Sequence, residues 1–325
     1  MFHRFVVAIG AGCAAAFLFA VSAQTSPLAM MLAYLAPLPI MIATMGWGVG
    51  PGAAAAATSV AALTLLAEPL TGLLYAASVA LPAWMLAAFA VAPVARYLPM
   101  KSPPGQPYAS VGSIVTLATA IGMLGAGAVL TAIIVLYGGY AEGAKQVATA
   151  LAGLASDAFD AKDGDQARIF ADALVRFGPA AIAASTLLML NVNLYAAARS
   201  TQLSHRLQRP WPDLPTSLRL PWPLGVLAIG CAACAYALPP PASQYFSIGV
   251  GGLGAAFVLQ GLAVAHALSR GLKLRIVMLI ALYACCVLRA QYTLPVLAGL
   301  GLVDAFARLR SRAAFLPSPK PTSHR

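Results

Sequence analysis

Charge is what this chain lacks most: Asp, Glu, Lys and Arg make up 9% of its 325 residues, against 61% hydrophobic. A soluble domain carries roughly a quarter charged residues to keep its surface wet, and one this poor would expose too much apolar area to stay in water. That excludes a soluble enzyme or a soluble nucleic-acid-binding module. A mean hydropathy of +0.83 makes lipid the solvent for most of the chain. Catalytic signatures are missing as well: there is no HExxH pair for zinc, no Walker A sequence for nucleotide and no GxSxG nucleophile elbow. No catalytic residue, metal ligand set or cofactor is assigned, and the chain is read as a non-enzyme. Cysteine is sparse too, with five residues (Cys13, Cys231, Cys234, Cys285, Cys286), all inside apolar runs where a thiol behaves as a small hydrophobe. Cys231-Ala-Ala-Cys234 has a redox or zinc spacing, but it lies in a lipid-length run with no second ligand pair.

The charges that are present set a direction. Between Glu142 and Arg176 six carboxylates face four basic residues; Phe177 to Ala198 is then uncharged for 22 residues, and Arg199, Arg206, Arg209 and Arg219 follow with only Asp213 opposing. An uncharged run of that length crosses a bilayer core of about 30 Å. Basic residues near span ends stay in the cytoplasm, so this span is expected to run from outside to inside. The net charge of +11 punctuates the ends of hydrophobic runs and is not gathered on one soluble face among aromatics. Nucleic acid is therefore not an expected partner. The lipid bilayer is, with about 1 kcal/mol of headgroup attraction per basic residue near the surface.

Taken in order, residues 1–24 read either as a secretory signal ending at Val21-Ser22-Ala23 or as an uncleaved first helix, the reading preferred because a polytopic inner-membrane protein needs no removable signal. Phe5 to Ala67 holds 63 residues without a charge, enough for three crossings. Breaks are expected at Gln24–Pro27 and at Gly46–Gly52, where alternating glycines end beside a proline. Leu73–Val94 is a fourth span, the proline-rich Ser102–Pro107 a cytoplasmic loop, and Val111–Tyr137 a fifth span whose Gly122, Gly125 and Gly127 would admit a close neighbour. Residues 141–176 read as two short amphipathic helices across the outer mouth of the bundle, interrupted at Lys162-Asp163-Gly164-Asp165; they either shield helix ends or form a lid over a cavity. After the sixth span comes a basic loop, 199–222, then an uncharged 50-residue stretch, Leu220–Ser269, divided at Pro239-Pro240-Pro241 into two spans. Its Gly249-Val250-Gly251-Gly252-Leu253-Gly254, inside a hydrophobic run, reads as a packing or kink feature. Arg289 splits the last region into runs of 13 and 14 residues, short for crossings. The fold class expected is all-α: a polytopic transmembrane bundle of eight to ten spans with both termini cytoplasmic, one domain over 1–312 and a polar tail over 313–325. This layout puts 15 basic and 2 acidic residues inside against 5 and 7 outside.

Polar groups inside a bilayer are costly and often functional. Asn191 and Asn193 sit in the sixth span and point to different helix faces, either as interhelical hydrogen-bonding groups or as ligand contacts. Arg289, Gln291 and Tyr292 cluster between the last two helices, where Arg289 would capture an anionic group or meet an external carboxylate. Asp304 and His266 fall near inner span ends, where both can be wet, and Asp304 is placed to pair with Arg308 one turn on. Asn191, Asn193, Arg289, Gln291 and Tyr292 are the substrate-binding candidates; Trp47, Trp84 and Asp304 are structural or polar ones.

Four stretches carry a resemblance: Tyr34-Leu35-Ala36-Pro37-Leu38-Pro39-Ile40 with Gly46-Trp47-Gly48; Leu81-Pro82-Ala83-Trp84; Asn191-Val192-Asn193-Leu194; and Gly301-Leu302-Val303-Asp304 before Arg308. Over about Phe5 to Arg312 the chain resembles the YybS-like family of bacterial membrane proteins, a domain of unknown function. The family is distantly similar to the substrate-binding subunits of energy-coupling-factor transporters. The resemblance implies a bacterial inner-membrane location, a small-molecule ligand, and dependence on other membrane subunits or an energising ATPase module. Two functions follow as expectations: a small-molecule-binding or transport subunit in which Asn191, Asn193 and Arg289 converge on a cavity, or a membrane scaffold of envelope assembly packed solid.

Overall fold

The computed structural model describes residues 2–23, 26–93, 108–159, 164–207 and 209–310. The loop expected at Ser102–Pro107, the signal-cleavage boundary at Gln24, the interruption at Lys162-Asp163 and the tail 313–325 fall outside these. Among the described residues the protein is helical, without a strand. Helices α1 (Phe2–Ala20), α2 (Pro27–Tyr34), α3 (Pro37–Trp47), α4 (Val49–Leu66), α5 (Pro69–Tyr75) and α6 (Leu81–Val91) form the first half. Then come α7 (Val111–Leu136), α8 (Tyr140–Phe159), α9 (Gly164–Leu203), the single turn α10 (Leu214–Ser217), α11 (Trp222–Ala237), α12 (Ala242–Leu268), α13 (Arg275–Leu288) and α14 (Ala290–Ala307). Eight segments are long and apolar enough to cross a membrane, and α11 and α13 are shorter apolar helices. The protein is thus a polytopic helical bundle.

Three elements depart from the expected outline, each for a local reason. The second crossing is broken: α2 ends at Tyr34 and α3 restarts at Pro37, whose ring suits a first helical turn. The fourth begins at Pro69 and runs on through a π-helical segment, Ala76–Ala80, into α6. The sixth is not separate from the second amphipathic helix, because α9 is one helix of 40 residues that passes through Pro179. A proline inside a helix costs about 3 kcal/mol. Packing outweighs it, since close helix contacts fall just beyond the proline: Gly251 of α12 against Ala180 and Gly122 of α7 against Ala183.

Small residues fix the hub. In α12, Gly249 abuts Cys231 of α11, Gly251 abuts the Ala180 carbonyl of α9, Gly252 abuts Met123 of α7, and Gly261 abuts the Leu297 carbonyl of α14. A Cβ at any of these would overlap its neighbour: α9 and α14 approach α12 at backbone range, while α11 and α7 seat a side chain against it. Gly122 does the same for α7 on α9, whereas Gly125 and Gly127 face open space. At the first elbow Gly48 (φ +110°) joins α3 to α4, and Gly52 seats Thr44, so this glycine run serves both turning and packing.

Contacts sort the loops to two ends. Arg209 donates to the carbonyls of Ala90 (2.6 Å) and Ala109 (3.2 Å), Arg206 lies 4.8 Å over the Trp47 ring, and Arg270 pairs with Asp213 at 2.7 Å. The end of α6, the start of α7 and the segments after α3, α9 and α12 therefore share one end, which carries the arginines. At the other end the Thr131 and Tyr245 hydroxyls meet at 2.8 Å, joining the end of α7 to the start of α12.

Candidate functional site

The non-basic end opens into a cavity of about 1210 Å³ between α8, α9, α11 and α12. Its construction starts at Gly138-Gly139, where α7 ends and the chain turns through φ +69° and +158°, angles that favour glycine. Gly143 then lets α8 settle against Ile133 of α7. Tyr140, Lys145 and Thr149 line the cavity from α8; Asp172, Arg176 and Phe177 line it from α9; Tyr236, Ser243, Gln244 and Ser247 complete the wall. Ala180 and Val250 also line it, beside the close contact between Ala180 and Gly251. Arg176 sits 5.4 Å over the Phe177 ring, a cation held by an aromatic face and still exposed. Burial pushes the Tyr140 hydroxyl above its ordinary pKa, offset in part by a hydrogen bond with Gln244, so at neutral pH this wall offers a neutral phenol. The chemistry on offer is two cations, one carboxylate, amide and hydroxyl groups, and aromatic surface.

The residues singled out from the sequence do not meet there. Asn191 lines a second cavity of about 500 Å³ at the other end, between α7, α9, α12 and α13, and its amide donates to the Leu187 carbonyl of its own helix at 2.9 Å. Asn193 is buried in the seam with the first half and donates at 2.8 Å to the carbonyls of Tyr34 and Met189. The Tyr34 carbonyl is available because the Leu38 amide bonds Leu35 instead, across the break between α2 and α3. Arg289, Gln291 and Tyr292 stand exposed at the junction of α13 and α14, and none of them lines either cavity. The expected convergence of Asn191, Asn193 and Arg289 is thus not met: the two-residue offset on α9 sends the asparagines to opposite seams, and α13 carries Arg289 to the periphery. Trp84 donates from Nε1 to the Val49 carbonyl at 3.0 Å, and Trp47 lies beneath Arg206, so both brace the Gly48 elbow. A model of the family described as "Predicted membrane protein (DUF2232)" matches residues 13–305. The chain belongs to this family.

No curated protein and no solved structure matches this member of DUF2232. Its family-like Gly301–Asp304 stretch holds the buried polar centre of the fold. Asp304 does not pair with Arg308: that residue takes a left-handed conformation (φ +51°), ends α14 and is exposed. The chain turns back so that Arg310 meets Asp304 at 2.7 Å, both side chains only 4% exposed. Asp304 also accepts from Gln260 at 2.9 Å, and Gln260 accepts the Leu220 amide at 2.7 Å. Arg310 further donates to the carbonyls of Pro215 and Leu218 at 2.7 and 2.6 Å. Sequence reading passed over Gln260 and Gln244, although they are the two side-chain amides of an uncharged 50-residue stretch, the same signal that singled out the asparagines. Arg310 gave no such signal, since it sits among the tail arginines that read as topology marks.

Proposed function

We propose that this DUF2232 member is a small-molecule-binding, non-catalytic membrane protein that takes its ligand in the cavity under α8. The observation that carries the reading is the cavity itself, whose roughly 1210 Å³ exceeds the range of about 300–1,000 Å³ usual for small-molecule sites. Lys145 and Arg176 outnumber Asp172 on its walls, and Tyr140, Phe177 and Tyr236 add aromatic surface. That combination favours an amphiphilic metabolite bearing an acidic group, its charge met by Arg176 and Lys145 and its body by the rings. The charge asymmetry of the loops supports an orientation with this mouth outside and both termini in the cytoplasm, in the bacterial inner membrane. With α8 as a lid, ligand entry is from outside. In this reading onward transport falls to partner subunits with an energising ATPase, in keeping with a sequence that has no nucleotide-binding signature of its own.

Thermal-shift screening of the purified protein against vitamins and other acidic metabolites tests this. A saturable stabilisation that follows ligand concentration, lost in Arg176→Ala and Lys145→Ala, is the expected result. A screen without any saturable shift, together with co-purification of envelope proteins, would instead favour the scaffold reading.

A further inference from the structure

The second cavity has a different character. Its walls are mainly apolar, from Ile114 and Val115 of α7, Val192 of α9, and Leu259 and Leu262 of α12. It lies on the arginine-bearing end and on the side where α13 stands. α13 buries none of its residues, and Ile276, Ile280 and Val287 are 74%, 64% and 81% exposed. It leans on α14 and is tied to α12 by a hydrogen bond between the Tyr283 hydroxyl and His266 Nε2 at 2.9 Å. Both residues of that tie line the crevice. The turn from α12 to α13 follows on the wall residue His266 and carries Arg270 and Lys273, with Arg275 opening α13; Arg270 and Arg275 lie within electrostatic reach of His266, which makes a basic rim beside the crevice. Arg270 is engaged by Asp213, so Lys273 and Arg275 leave this rim net positive, and the Arg275 Nε is buried without a hydrogen-bond partner. An apolar slot that faces hydrocarbon and ends at a cationic rim has the polarity profile of one lipid molecule, and basic pockets between membrane helices hold acidic headgroups.

We propose that an anionic phospholipid from the surrounding leaflet occupies this crevice, its acyl chain along Val192 and Leu262, its headgroup at Lys273 and Arg275. The Tyr283–His266 contact is the latch that α13 releases to let the lipid in sideways.

The full chain in nanodiscs of phosphatidylcholine doped with phosphatidylglycerol tests the assignment, with the lipids that survive delipidating washes counted by native mass spectrometry. One phosphatidylglycerol per chain, retained in preference to phosphatidylcholine, is expected. Val192→Trp fills the crevice from a position already 59% exposed, so folding is spared and retention should vanish; if it unfolds the protein, Leu262→Phe serves the same end. Lys273→Gln and Arg275→Gln should each weaken retention about fivefold, the equivalent of one basic group near a headgroup. Tyr283→Phe should speed lipid exchange. Equal retention of both lipids, retention that survives a folded crevice-filling variant, or displacement of the lipid by inorganic phosphate would overturn the proposal.

Discussion

At the arginine-bearing end, side chains from separate segments close on one another. Asp304, Gln260 and Arg310 join the end of α14 to α12 and to the loop before α11, and Arg209 ties the loop after α9 to the residues flanking α6 and α7. At the opposite end, the ties between elements are few among the described residues, with Thr131 to Tyr245 the clearest, and Lys145, Asp172 and Arg176 stay exposed around a cavity. The two ends use charge in opposite ways. Where ions are buried, a charge partner or hydrogen bonds inside the protein must offset the lost water, because an unmatched charge in a low dielectric costs several kcal/mol; Asp304 and Arg310 meet this together. Where they stand in water, that cost is absent and they remain available to a ligand.

The comparison breaks most sharply at Asp304. Asp304→Ala should destabilise by about 3–5 kcal/mol, because it leaves the Arg310 charge buried without a partner; unfolding in detergent measures this, and a loss below about 1 kcal/mol would mean the network is not clamping. Replacing both Asp304 and Arg310 with leucine should recover most of that loss. Gly301→Leu comes next, at about 1–3 kcal/mol from overpacking, since its side chain would run into the Phe257 carbonyl. A smaller effect belongs to the exposed Asp213–Arg270 pair. The hydrogen bond from Arg270, followed by that from Thr216, holds the Asp213 carboxyl below its usual pKa. Its contribution is present above the ordinary carboxylate range and is lost as pH falls through the lowered value; solvent screening keeps it slight. Asp213→Asn should flatten that acid-side dependence of the melting temperature. Arg176→Ala at the open end should change stability by no more than about 0.5 kcal/mol while removing ligand-dependent stabilisation. A variant that lost both would place Arg176 in the fold and not in the site.

Much of this contrast was open to reading, and what stayed hidden has a common cause. The split at Arg289, the glycine packing on α12 and the elbow at Gly46–Gly52 were legible because each is a local property of a few residues. The unbroken α9 was not, because the change from charged to uncharged residues at Phe177 separates an amphipathic segment from a span, and the packing that carries one helix through Pro179 comes from α7 and α12. Asn193 was legible as an interhelical hydrogen-bonding group, but its acceptor on Tyr34, 159 residues away, was not. Asp304 misled in the same way: the turn of an isolated helix offers Arg308, but that residue is itself left-handed and turns the chain so that Arg310 arrives instead.

What composition and charge order determined by themselves is the solvent of this protein. Nine per cent charge over 325 residues requires lipid around the chain, backbone groups in lipid must be satisfied internally, and uncharged runs such as Phe177–Ala198 have the length of a membrane helix, not of a barrel strand, so a helical bundle follows. Which helices touch, which polar groups are buried together and where the cavities open depend on pairings between residues tens to hundreds of positions apart. Apolar helices are nearly interchangeable in hydrocarbon, so close packing and a few buried hydrogen bonds select the partners, and those become definite only when the tertiary structure brings the surfaces together.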